Sequence, residues 1–190
     1  MSKGFLADFL FKAKFHPAWK ERVRFASDVA RALVDDTLTA KISDFGFARL
    51  LLPKQAKAST SAEESTRSYF AREWQKNALI SVKSDIYSFG IVLLEIICCR
   101  RNINLKVPSP DEVALSNWVC DCFMAGELNK LVELDDEVNM RTLERMVKVG
   151  MWCIQDDPDL RPLMKNVILM LEGTVHIPIP PPPNRPFARS

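Results

Sequence analysis

Few residues in this chain have the type and spacing to do chemistry. Asp44-Phe45-Gly46 sets a carboxylate after a short apolar run, Leu38 to Ser43, and next to a glycine, where an aspartate caps a turn. Asp85 follows Ser84 ahead of an apolar helical stripe, the place of an acidic residue in a first helical turn. Cys98, Cys99, Cys120, Cys122 and Cys153 are odd in number, and no pair has the C-x-x-C spacing of a zinc or redox site. Cys98 and Cys99 sit in an apolar run and read as small buried hydrophobes, which suits a reducing compartment. Glycine occurs only at positions 4, 46, 90, 126, 150 and 173, so no G-x-G-x-x-G phosphate loop can be written. Ser59, Thr60, Ser61 and Thr66 lie in a polar stretch that is either open to phosphorylation or simply exposed.

These residues need a scaffold, and the composition supplies one. The chain has 190 residues, 47% hydrophobic and 26% charged, the proportions of one packed soluble domain with a tail. Its 26 Lys and Arg against 24 Asp and Glu give a net charge of +2, too small and too evenly spread to call for nucleic acid or an anionic membrane. No run approaches the ~20 apolar residues that span a bilayer; Ile91 to Cys99 is interrupted by Glu95. The start has neither a long apolar core nor a cleavage site, so the chain as written is expected in the cytoplasm, without a membrane span.

Apolar residues at three- and four-residue intervals predict five helices. The first runs from Trp19 to about Val34 through Val23, Ala26, Ala30 and Leu33. The second, capped by Ser84-Asp85, carries Ile86, Phe89, Leu93 and Ile97 and is buried nearly all round. Ser109-Pro110-Asp111-Glu112 has the capping serine, the early proline and the glutamate that start a helix through Leu115, Trp118 and Cys122. Met140, Leu143, Val147, Met151 and Ile154 form the fourth stripe, stopped by Asp157-Pro158; Pro162 opens the fifth, which ends at Gly173. Periodicity vanishes between Phe47 and Ser81, as in a long functional or mobile loop. Residues 1–173 are read as the domain, and 174–190, with Pro178, Pro180 to Pro183 and Pro186, as a disordered polyproline II tail matching P-x-x-P twice.

Four segments in order carry a resemblance. They are Lys41-Ile42-Ser43-Asp44-Phe45-Gly46-Phe47-Ala48-Arg49, Tyr69-Phe70-Ala71-Arg72-Glu73-Trp74, Ser84-Asp85-Ile86-Tyr87-Ser88-Phe89-Gly90 and Asp157-Pro158-Asp159-Leu160-Arg161-Pro162. Together, from about Gly4 to Gly173, the chain resembles the C-terminal lobe of a eukaryotic protein kinase. Leu94 to Arg101 and Trp152-Cys153-Ile154-Gln155 look like plant receptor-like serine/threonine kinases of the lectin-type branch. The resemblance implies a mainly α fold, a helical bundle with a minimal β element before Asp44-Phe45-Gly46. It makes Asp44 the magnesium ligand of a Mg2+-ATP site, with Phe45 packed beneath it and Gly46 beside it. Glu73 and Arg161 would form a buried ion pair, and Asp85 would accept hydrogen bonds from the backbone of the catalytic loop. Intact members are plasma-membrane receptors with the kinase domain on the cytosolic side and with protein partners.

The departures concern the catalytic parts. Where a kinase carries its His-Arg-Asp loop, only Asp35-Asp36-Thr37-Leu38-Thr39-Ala40 intervenes before the strand leading to Asp44. Neither His16 nor His176 begins that motif, so no residue is nominated as catalytic base. No lysine before Asp44 sits in a V-A-I-K-like strand, Arg72 replaces the proline of Ala-Pro-Glu, and Ser65-Thr66-Arg67-Ser68 has serines where the family has glycines. Three readings stay open: a piece of a receptor-like serine/threonine kinase impaired in phosphoryl transfer, a pseudokinase-type protein-binding module, or a non-functional truncated gene product.

Overall fold

A helix that is apolar all round has to be wrapped by others. The computed structural model describes residues 10–11, 16–34, 82–102, 114–132 and 137–182. Among these the elements run α1 (Trp19–Ala32), α2 (Val82–Cys98), α3 (Leu115–Met124), a 3-10 segment (Leu128–Val132), α4 (Met140–Cys153), a second one (Pro158–Leu160) and α5 (Met164–Glu172). Each predicted helix has its counterpart, and no strand occurs among the described residues. The expected β element before Asp44 lies outside them.

Helix α2 is the innermost element. It buries every residue from Ser84 to Ile97 except the half-buried Tyr87, and it touches α1, α3, α4 and both 3-10 segments. Each Leu or Ile it buries is worth about 1.5–3 kcal/mol of transfer free energy. Its most extensive partner is α4, because two glycines let the backbones close in. A Cβ at Gly90 would stand 2.7 Å from Cys153 Cβ and Ile154 Cγ2, and one at Gly150 would stand 2.6 Å from Leu94 Cδ2. Helix α1 packs on α2 and α5 through Trp19, Ala26 and Ala30. Arg22, buried under the same face, donates to the Ile97 carbonyl and stacks 5.1 Å from the Trp19 ring.

Polar groups inside this core act as fasteners. Glu95, the charge that interrupts the apolar run, is buried and accepts the Asn102 N–H at 2.7 Å, while the Asn102 carbonyl accepts the Leu115 N–H at 2.8 Å. The turn after α2 is thereby tied to the start of α3. Asn139 caps α4 by accepting the Thr142 N–H at 3.0 Å, and Gly173 ends α5 at φ 75°, a conformation glycine adopts without strain.

Helix boundaries depart from expectation in two places. Helix α2 begins at Val82, so Ser84 lies within its first turn rather than at the cap. Helix α3 begins at Leu115, not at Ser109: Ala114 is extended, and the Leu115 N–H is taken by Asn102, so a tertiary contact fixes the start that the local signal placed earlier. Of the stretch read as a tail, residues 174–182 are described and touch the bundle at two points. Ile177 and Pro180 are buried, and Trp152 and Gln155 donate hydrogen bonds to the carbonyls of Pro178 and Pro181. A proline-rich strand has no hydrogen bonds of its own, and that leaves its carbonyls free for such donors. Among the described residues no helix is long and apolar enough to cross a membrane.

Candidate functional site

The N-terminal end of α2 gathers the polar residues that carry the resemblance. Two residues singled out from the sequence, Asp85 and Arg161, lie there; Asp44, Phe45, Gly46 and Glu73 are outside the described residues. The expected Glu73–Arg161 pair is likewise outside them.

Arg161 is 1% exposed and uses all three guanidinium nitrogens. Nε donates to the Gln155 carbonyl at 2.7 Å, Nη1 to the Lys83 carbonyl at 3.0 Å and Nη2 to the Asp156 carbonyl at 3.2 Å. Lys83 Nζ returns the bond to the Arg161 carbonyl, and the guanidinium stacks 5.1 Å from the Tyr87 ring. The carbonyls of Gln155 and Asp156 belong to the turn just after α4, where a cation also complements the helix dipole. One side chain thus locks the start of α2 to the end of α4. Asp157 helps to aim it: its side chain accepts the Asp159 N–H at 3.0 Å, and Pro158 sets the short turn that leads into Arg161.

Asp85 is different. It is 6% exposed. Burial alone pushes its carboxyl up to about 6. Its neighbour Ser84 is also buried, and the Ser84 Oγ has no hydrogen-bond partner among the described residues.

Neither residue builds a metal site. Among the described residues no three side chains of the ligating kinds come together, and a single desolvated carboxylate does not suit Mg2+, which requires several oxygens. The described residues therefore do not fit a Mg2+-ATP site, and no phosphoryl-transfer step is derived through them. Cys98 and Cys153 are inert as well: burial pushes both thiols far up, away from the reactive thiolate. Sequence reasoning missed Lys83, Tyr87 and Gln155, which complete the clamp. Their signal is faint, since carbonyl acceptors carry no residue identity.

The sequence matches the protein tyrosine and serine/threonine kinase family over residues 30–171. It is 43% identical over 207 residues to the G-type lectin S-receptor-like serine/threonine-protein kinase LECRK1 of Oryza sativa subsp. japonica, covering 96% of this chain and 25% of that one. It is 41% identical over 208 residues to LECRK2 of the same subspecies (97% and 25%), and 39% identical to RLK1 of Arabidopsis thaliana (97% and 24%). The chain spans about a quarter of the length of these curated relatives. Aligned stretches of 207 and 208 positions exceed the 190 residues present, so the relatives carry residues inside the matched region that this chain lacks. With the central helix, its buried aspartate and the arginine clamp in their expected order, the chain belongs to the protein tyrosine and serine/threonine kinase family.

Proposed function

We propose that this chain is a kinase-family helical lobe that does not transfer phosphate and that works by contact with other proteins. The observation that carries this reading is the short interval before Asp44, set beside an aspartate, Asp85, that is buried at the head of α2 with its carboxyl pushed up to about 6. In the resembled family its partner is the backbone of the catalytic loop. Here the interval before Asp44 holds only Asp35 to Ala40, and the aligned relatives have residues that this chain lacks. Without that loop there is no base for the hydroxyl proton.

A second reading rests on the 43% identity to a receptor-like serine/threonine kinase across 96% of this chain. In it the chain corresponds to part of a larger protein that transfers the ATP γ-phosphoryl group to protein serine or threonine on the cytosolic side of the plasma membrane. Nucleotide binding separates the two. Millimolar ATP with Mg2+ is expected to leave the unfolding temperature of the purified chain unchanged. Saturation at a hundred times Kd would add about 2.7 kcal/mol, hence roughly 5–10 °C for a chain of this size. A shift of that size would favour the second reading.

A further inference from the structure

The end of α4 and the residues after α5 match each other in period. Burial along the extended segment repeats every third residue: Ile177 and Pro180 are buried, while Pro178, Ile179, Pro181 and Pro182 are exposed, Ile179 at 72%. The two carbonyls that are bonded, Pro178 and Pro181, are also three apart. Three residues make one turn of a polyproline II helix, so positions 177 and 180 share one edge and the carbonyls of 178 and 181 point the same way. Proline at 178, 180, 181 and 182 fixes φ near that conformation before any contact forms.

The opposing surface has a matching spacing. Trp152, in the last turn of α4, and Gln155, two residues past its end, stand three apart in the chain. The Trp152 indole Nε1–H donates to the Pro178 carbonyl at 3.0 Å, and Gln155 Nε2 donates to the Pro181 carbonyl at 3.0 Å. Gln155 is 4% exposed, and its other amide bond goes back to the Met151 carbonyl of α4 at 2.9 Å. A buried carboxamide placed in this way, with an indole beside it, distinguishes a rigid strand with regularly spaced acceptors from a coil.

We propose that the end of α4 is a polyproline II-reading site made by Trp152 and Gln155, and that residues 177–182 of the same chain are its resident ligand. This goes beyond the reading of the chain as a kinase lobe and does not depend on it. The P-x-x-P stretch from Pro178 to Pro181 is then engaged by the lobe that precedes it. A second strand with the same apolar-x-x-proline spacing competes for the same place.

The test follows solvent exchange of the Trp152 indole N–H by NMR in the full chain, with Trp152→Phe identifying the signal. Exchange is expected to be slow in the unsubstituted chain. In the double variant Ile177→Ser with Pro180→Ser it rises about tenfold, the factor carried by one lost hydrogen bond of about 1.4 kcal/mol. Should that variant lose cooperative unfolding, Gln155→Leu, which leaves the extended segment intact, takes its place. A synthetic peptide of residues 175–183, added to the Ile177→Ser, Pro180→Ser chain, slows the exchange again, and the same peptide with serine at 177 and 180 does not. Equal exchange in the unsubstituted and variant chains would overturn the proposal, as would a native peptide that restores nothing.

Discussion

Arg161→Met lowers the free energy of unfolding by about 3–5 kcal/mol, the cost of removing one side of a buried charged network. Three guanidinium donors are lost at once, leaving the buried Gln155 carbonyl and the half-buried Lys83 and Asp156 carbonyls without them. Methionine fills much of the volume, so the loss reports the hydrogen bonds rather than a cavity. Arg161→Lys recovers less than half of it. A lysine has three donors on one nitrogen and cannot reach three acceptors spread around a planar fork, nor stack on Tyr87 in the same way. Urea unfolding of the three proteins at one pH measures the difference. Against a typical total of about 5–15 kcal/mol, the methionine variant stands near the edge of folding. An Arg161→Met chain within about 0.5 kcal/mol of the parent, the range of ordinary surface changes, would show that the clamp fastens nothing.

Asp85→Asn has the opposite sign. The folded carboxyl titrates at about 6, above the unfolded value of 3.8, so the folded chain holds a proton that the unfolded chain gives up. The native state is therefore favoured below pH 4, where both forms are protonated, and loses stability as pH rises from about 4 through 6. Every tenfold difference in proton affinity between the two states is worth about 1.4 kcal/mol, which puts the loss at pH 8 near 2–3 kcal/mol. Asparagine carries no charge at either pH. Its chain is expected to be about 2 kcal/mol more stable than the parent at pH 8 and close to it at pH 4, by chemical unfolding at the two values. With a set of backbone donors on Asp85 the sign would reverse, because a hydrogen-bonded carboxylate is lowered in pKa and its replacement destabilises.

The bundle was legible in the sequence because its signal is periodic. The stripes of α1, α2, α4 and α5 recur at helical spacing, and Gly173 marked an end correctly. Starts were harder. Ser109 to Glu112 has every local mark of a helix start, yet Leu115 begins α3 because its N–H is claimed by Asn102, which Glu95 holds in turn. Ser84 looks like a cap and sits inside the first turn. The site was legible in part. Asp85 and Arg161 were found through the ordered motifs, and they do share one end of α2. Lys83, Tyr87 and Gln155 left no trace, since what they bond or stack on is backbone or a guanidinium from far along the chain. The proline run announced an extended strand but not its docking, which depends on two side chains of another element. Asp44, Phe45, Gly46 and Glu73 fall outside the described residues, and their roles rest on the resemblance alone.

The decisive measurement is transfer of the γ-phosphoryl group of radiolabelled ATP, with Mg2+ present, to the chain itself or to a generic protein acceptor. Incorporation is expected to be no higher than in buffer, because the lobe keeps its core and clamp without a group to take the hydroxyl proton. A steady rate that disappears on Asp44→Ala would mean that the chain is a working kinase after all.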